Sequence, residues 1–324
     1  MKNPRYQGGG SSHVNSFKVT SVWDALTEKE NVIYAEGFSS ETDVYDEKLA
    51  AEAIEAAKQV DKAVVFAGLP ESFESEGYDR KHMHLPECQN KLIAEIVKAQ
   101  LNTIVVLHNG AAVEMPWLKD VKGLVEAYLG GQAVGQAEAN ILYGNVNPSG
   151  KLAETLPIKL EDNPSYLNFG DGDKVEYSEG IFVGYRYYDK KKMEVAFPFG
   201  YGLSYTTFEY SNVKTDKDTL TEGETLRVSV DVTNTGDKFG KEIVQLYVSD
   251  LKSSLPRPKK ELKGFKKVDL QPGESQIVEF EIDESKLSYF DDKKHAWVAE
   301  PGKFEILIGA SSSDIRSKVA FELE

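Results

Sequence analysis

Two short stretches restrict the fold of this chain more than any other feature. Ala63-Val64-Val65-Phe66-Ala67 and Thr103-Ile104-Val105-Val106-Leu107 are nearly unbroken apolar runs of strand length. A run without polar alternation needs cover on both faces, which a parallel sheet flanked by helices provides. Both runs are therefore expected as central strands. Val32-Ile33-Tyr34-Ala35 and Gly123-Leu124-Val125-Glu126-Ala127-Tyr128 are expected as weaker strands of the same sheet. Stretches of helical period lie between them. Residues 47–59 are rich in Ala, Glu and Lys, with Leu49, Ala53, Ile54, Ala56 and Ala57 available for one buried stripe. A second helix is expected to start near Pro86, which a first turn tolerates, and to direct Leu92, Ile93, Ile96 and Val97 toward the sheet.

After residue 206 the period changes to two. Leu226, Val228, Val230 and Val232 alternate with Arg227, Ser229, Asp231 and Thr233, which is the pattern of a half-buried strand. Similar runs follow at 243–248, 277–282 and 304–308, separated by Asn234-Thr235-Gly236, Gln271-Pro272-Gly273 and Glu300-Pro301-Gly302 turns. This spacing implies a β-sandwich resembling fibronectin type III. Between the two regions, residues 161–205 show aromatics, Pro and Gly without a sustained period; their aromatic rings, Tyr185, Tyr188 and Phe199 among them, are expected to pack onto another domain. The expected fold is α/β, a mostly parallel-sheet α/β sandwich domain followed by an all-β fibronectin type III-like sandwich. Its expected boundaries are 1–160 for the first domain, 161–205 for the connection and 206–324 for the second domain.

Charge narrows the range of partners. The 53 acidic residues against 38 basic ones leave a formal charge of −15, a field that repels phosphate backbones and anionic headgroups. Neither nucleic acid nor a membrane is an expected partner. No apolar run approaches the roughly 20 residues that cross a bilayer. The polar residues 1–7 lack the apolar stretch of a secretory leader, so the expected location is cytoplasmic. Cys88 is the one cysteine, which excludes an intrachain disulfide and a cysteine-based zinc cluster. In the first turns of a helix it reads as a small buried filler rather than a nucleophile.

The densest polar segment is Glu71-Ser72-Phe73-Glu74-Ser75-Glu76-Gly77-Tyr78-Asp79-Arg80, directly after the strand that ends at Ala67-Gly68. Loops at the carboxyl ends of strands in an open α/β sheet converge where ligands bind. By composition alone the segment also fits a solvated acidic loop, with Asp79 and Arg80 forming local ion pairs. Gly8-Gly9-Gly10-Ser11-Ser12-His13 lacks the Gly-Lys-Ser/Thr ending of a phosphate cradle. His82 and His84 have no third ligand at useful spacing, so no metal is expected. His108 reads as a strand-end residue and His295 as a surface one.

Ser75-Glu76-Gly77-Tyr78-Asp79-Arg80 resembles the acid/base loop of glycoside hydrolase family 3, the β-glucosidase family. Pro4-Arg5-Tyr6-Gln7-Gly8-Gly9-Gly10-Ser11-Ser12-His13 is similar to the segment entering that family's second domain, and Asn147-Pro148-Ser149-Gly150-Lys151-Leu152 to its Asn-Pro-Ser-Gly-Lys-Leu signature. Gly184-Tyr185-Arg186-Tyr187-Tyr188-Asp189 and Phe199-Gly200-Tyr201-Gly202-Leu203-Ser204-Tyr205-Thr206 resemble the run leading into its fibronectin-like module. These segments stand in the family's order.

The resemblance implies part of a retaining β-glucosidase acting on terminal non-reducing β-D-glucosyl residues. Such enzymes use one carboxyl group as nucleophile and another as general acid/base. The resemblance makes Glu76 the acid/base, with Glu74 next in line and Glu71 a further rival. It also implies that Ser11 reaches a sugar hydroxyl. Phe73 is expected either to wall the sugar site or to serve as a hydrophobic anchor. No cofactor and no metal are implied. The family's (β/α)₈-type barrel of about 250 residues, which supplies the nucleophile, has no counterpart in this sequence. The implied partners are a β-glucoside or oligosaccharide substrate and such a barrel, on another domain or chain; a homodimer is left open. The isolated chain is expected to be inactive, with Glu76 titrating more normally than it would beneath a barrel. The alternative reading is a non-catalytic carbohydrate-binding or scaffolding protein that retains the fold. A response-regulator-like module is disfavoured, because no acidic phospho-acceptor cluster ends the first strand.

Overall fold

The computed structural model describes residues 1–26, 31–40, 42–170 and 173–324. The chain divides into two compact units, Met1–Val146 with Ile158–Glu161, and Asn147–Pro157 with Asp162–Glu324.

In the first unit, β1 (Ala63–Gly68), β2 (Thr103–His108) and β3 (Gly123–Glu126) form a parallel sheet in that order. Around it lie α1 (Val22–Ala25), α2 (Glu47–Ala57), α3 (Glu87–Ala99) and α4 (Val134–Leu142). Helix α2 begins at Asp46, whose carboxylate accepts the Lys48 and Leu49 N–H groups that a helix start leaves unpaired. Its alanines at 50, 53 and 57 pack against Leu92 and Ile96 of α3. Helix α3 follows Pro86 and buries Leu92, Ile93, Ile96 and Val97, the stripe that its period predicts. Cys88 in its first turn is buried, and burial pushes its thiol up to about 12, which leaves it unreactive.

Only one of the two apolar runs is central. Val105, Val106 and Leu107 of β2 are fully buried, whereas β1 lies at the sheet edge with Val64 37% exposed. The segment 32–35 forms no strand. Tyr34 stands edge-on to Trp23 with ring centroids 5.6 Å apart, and the Lys2 ammonium lies 3.7 Å from the Tyr34 centroid. Side-chain contacts therefore hold this stretch while its backbone stays outside the sheet. An apolar run responds to cover above and below it, so an edge strand under helices reads like a central one. Strand β3 stops at Glu126, and Tyr128 takes a left-handed φ of 48°. Because the strands are parallel, the segments after Gly68, His108 and Glu126 all leave from the same end of the sheet.

The second unit contains α5 (Tyr185–Lys191), β4 (Phe208–Thr215), β5 (Thr219–Leu220), β6 (Leu226–Asn234), β7 (Gly240–Asp250), β8 (Glu261–Leu270), β9 (Ser275–Ile282), α6 (Glu284–Leu287), β10 (Tyr289–Asp291), β11 (Ala296–Val298), β12 (Gly302–Gly309) and β13 (Ile315–Leu323). One sheet runs β5-β13-β12-β7-β8 and the other β4-β6-β9, with β10 and β11 as a separate hairpin. Pairing is antiparallel except between β5 and β13. Val228, Val230 and Val232 from one sheet and Leu246, Ile306 and Ile308 from the other share a single core, as the alternation predicts.

The aromatic stretch before β4 is less irregular than expected, because residues 185–191 form a helix. Aromatic rings, rather than an aliphatic stripe, anchor it. Tyr185 stacks on Phe199 at 4.9 Å and stands edge-on to Tyr247 at 5.9 Å, and its hydroxyl accepts the Leu262 N–H at 2.8 Å. The Asn-Pro-Ser-Gly-Lys-Leu segment is also structural. Asn147 accepts from the Ser204 hydroxyl at 3.0 Å and the Tyr205 N–H at 2.8 Å. The largely buried Lys151 ammonium lies 3.1 Å from Glu242 and donates to the Gly202 carbonyl at 2.8 Å. These bonds fasten the 199–206 segment to β7. Among the described residues, no helix is long and apolar enough to cross a membrane.

Leu246 is fully buried in the sandwich core, so Leu246→Ala is expected to destabilise the second unit by about 2–5 kcal/mol through lost contacts and the cavity left behind. The check is an earlier loss of β-sheet circular dichroism in urea.

Candidate active site

The acidic loop is built by two local turns beyond the end of β1. The Phe73 and Glu74 N–H groups both donate to the Pro70 carbonyl, at 2.9 and 3.2 Å. An antiparallel bridge between Ser75 and Tyr78 then makes a minimal hairpin with Glu76-Gly77 at its tip, and the Tyr78 hydroxyl donates to the Glu71 carbonyl. This arrangement holds the Glu76 side chain out into solvent.

The N-terminal arm meets that tip. The Ser11 N–H lies 2.5 Å from Glu76 Oε2, and the Ser11 hydroxyl lies 2.6 Å from Oε1 and 2.5 Å from Oε2. The hydroxyl, then the backbone N–H, holds the Glu76 carboxyl below the usual carboxylate range, since a donated hydrogen bond favours the charged form. In this chain the shift is downward, because the arm supplies donors that lie far away in sequence. The glycines make the approach possible. Gly10 has φ +91°, and a Cβ there would fall 2.5 Å from both Cβ and Oε2 of Glu76. At Gly9 it would fall 3.0 Å from Glu71 Oε1 and Ser75 Oγ. Only a chain without side chains fits against the loop at these distances.

Glu74, the rival carboxylate, is differently placed. Arg5 Nη1 donates to Glu74 Oε2 at 2.9 Å and to the Leu69 carbonyl, and Nη2 donates to the Glu74 carbonyl at 3.0 Å. The Gly110 N–H also donates to Glu74 Oε2, at 2.8 Å. Side-chain exposure at this pair is 16% and 17%, so Glu74 is a shielded, ion-paired group whereas Glu76 is open. Glu71 is exposed. Phe73 is half-buried and stands edge-on to His82 at 5.7 Å, which in turn stands edge-on to His84 at 5.3 Å. His84 Nε2 lies 3.6 Å from Glu114. The structure thus brings Ser11 and Glu76 together and sets Phe73 in an aromatic row with the two imidazoles. Among the described residues, no group of three or more His, Cys, Asp or Glu side chains is arranged to hold a metal ion.

Two further residues make contacts that the sequence did not show. His108, at the end of β2, has Nδ1 3.0 Å from the Arg5 carbonyl and Nε2 3.0 Å from Glu138 of α4. A carbonyl only accepts, so Nδ1 carries the hydrogen of that bond. Arg5 is the second residue. Its only sequence signal was its place in the Pro4-Arg5-Tyr6-Gln7 segment.

The sequence profile of the glycosyl hydrolase family 3 C-terminal domain matches residues 1–205. The chain belongs to glycosyl hydrolase family 3. A fibronectin type III-like domain profile matches residues 242–312. Thermostable β-glucosidase B of Acetivibrio thermocellus is 55% identical over 97% of the chain and 42% of its own length. An exo-α-(1→6)-L-arabinopyranosidase of Bifidobacterium longum is 44% identical over all of the chain and 43% of its own length. The crystal structure of a family 3 β-glucosidase from Bifidobacterium adolescentis superimposes with a TM-score of 0.93 at 43% identity, covering 99% of this chain and 47% of that one. The chain thus spans less than half the length of these family 3 relatives.

The geometry makes Glu76 titration a direct reading of the arm. Ser11→Ala is expected to move it upward, toward the ordinary glutamate range, and Gly10→Ala to do the same by lifting the arm; carboxyl ¹³C NMR of Glu76 checks both. Because the folded value lies below the unfolded one, the contact's contribution to stability is complete above the unfolded glutamate value and is lost as pH falls through the folded one.

Proposed function

We propose that this chain is the C-terminal part of a retaining β-glucosidase that releases terminal β-D-glucosyl residues, with Glu76 as general acid/base. The supporting observation is the contrast between two neighbouring carboxylates. Glu76 stands exposed on a hairpin tip at the carboxyl end of a parallel sheet, while Glu74 is engaged by Arg5 and Gly110. A proton donor must be reachable by the glycosidic oxygen, and only the first arrangement allows that.

In the proposed reaction a carboxylate from the barrel portion attacks the anomeric carbon as protonated Glu76 gives its proton to the departing oxygen. The Glu76 carboxylate then takes a proton from the water that hydrolyses the glycosyl ester. The ionised, Ser11-bonded Glu76 of this structure has the charge needed for the second step. The first requires a higher pKa, which burial beneath a barrel and proximity to a second carboxylate would supply. Ser11 and Phe73 are the proposed sugar contacts. The named substrates of the relatives differ, glucosides for one and arabinopyranosides for another, although both share this half of the protein at 44% identity or more. Choice of sugar is accordingly assigned to the other half.

The test combines the chain with the barrel portion of a family 3 homologue and follows hydrolysis of an alkyl β-glucoside. Glu76→Gln is expected to reduce the rate about 10²–10⁴-fold, and to reduce it less for an aryl glucoside whose leaving group departs without a proton. An unchanged rate in Glu76→Gln would instead point to the scaffolding role or to another glutamate as the acid/base.

A further inference from the structure

We infer that Arg5 and Glu74 are positioning residues, which act through the glycine arm to set Ser11 on the Glu76 carboxylate. The inference rests on the reading of Glu76 as acid/base and adds what holds that group in place.

Glycines 8, 9 and 10 are excellent for close approach and poor at fixing their own conformation. The path of the arm must therefore be set at its ends. At the far end a loop closes on itself: Gln7 Oε1 accepts the Val14 N–H at 2.9 Å, and the His13 N–H donates to the Gly10 carbonyl at 3.0 Å. At the near end the backbone is pinned twice, the Arg5 carbonyl by His108 and the Tyr6 carbonyl by the Gly131 N–H at 2.8 Å. Neither pin touches residues 71–80 of the acidic loop.

The Arg5 side chain provides that link. Its guanidinium reaches the Leu69 carbonyl, the Glu74 carbonyl and the Glu74 carboxylate, so it grips Glu74 within the acidic loop and Leu69 just before it. Glu74 extends the grip to a third segment by accepting the Gly110 N–H. A charge-assisted pair of this kind, largely shielded from water, is directional and resists rotation. Two segments distant in sequence, the arm and the loop, are thereby held in one register, and Ser11 meets Glu76 as a result. Glu74 has no part in proton transfer on this account; its charge secures the arm.

The experiment follows Glu76 by carboxyl ¹³C NMR in the 324-residue chain, comparing wild type with Ser11→Ala, Arg5→Ala, Glu74→Ala and the Arg5→Ala/Ser11→Ala double variant. Arg5→Ala and Glu74→Ala are each expected to move the Glu76 titration upward by about as much as Ser11→Ala, and the double variant no further than either single one. Glu74→Ala is the decisive case. Removing a nearby negative charge would by itself move Glu76 downward, so upward movement registers the loss of the arm. A downward or absent shift overturns the inference, as does full additivity in the double variant. Arg5→Lys, which can restore one donor, is expected to fall between wild type and Arg5→Ala. If Glu74→Ala gives a collapsed amide spectrum, Glu74→Gln keeps the side-chain shape and the same upward direction is required. No substrate enters this measurement, so it can fail while Glu76→Gln still abolishes hydrolysis, and it can succeed even if Glu76 is not the proton donor.

Discussion

The arrangement at the end of the parallel sheet depends on how closely a bare backbone can lie against a charged hairpin. At Gly10 the space that a Cβ would need is already occupied by Glu76, and at Gly9 it is crowded by Glu71 and Ser75. Any side chain there would push the arm away, and Ser11 with it. The left-handed φ of Gly10 adds a second restriction, since L-residues with a side chain rarely adopt it. The glycine run is thus explained by contact distance, and no phosphate ligand is needed to account for it.

Around that contact the acidic residues divide into different physical roles. Glu76 is exposed and receives hydrogen bonds only at a tip, so its protonation responds to whatever approaches from solvent. Glu74 sits three residues beyond Glu71 in the same loop, yet its partners are a guanidinium and a backbone N–H, and it serves to hold segments together. Glu138 is buried further in against His108. Three carboxylates with similar intrinsic acidity are separated by their surroundings alone.

The polar motifs of the second unit do different work. Asn147 and Lys151 spend their hydrogen-bonding capacity on the 199–206 segment and on Glu242 of β7. A fully buried valine ladder from β6 then packs with the facing sheet. These segments resemble the family as strongly as the acidic loop does, but their contacts are structural. Resemblance located the family, and contacts separated its chemistry from its joinery.

Much of this was legible from local pattern. Alternation along 226–233 marked a sandwich strand and the stripe at Leu92, Ile93, Ile96 and Val97 marked a helix face, because each signal depends on residues within a few positions of one another; Glu76 was singled out by the family resemblance of the segment 75–80. The edge position of β1 was not legible, since helices bury the faces of an edge strand and a central strand alike. The helix at 185–191 was hidden for a related reason: rings contributed by Phe199 and Tyr247 anchor it, and no periodic stripe of its own announces it. The sequence by itself determined the two kinds of sheet, the acidic loop after β1 and the family. Tertiary structure alone decided which glutamate is ion-paired and shielded and which is exposed under the Ser11 donors, because Arg5, Ser11 and Gly110 are brought to the loop from distant parts of the chain.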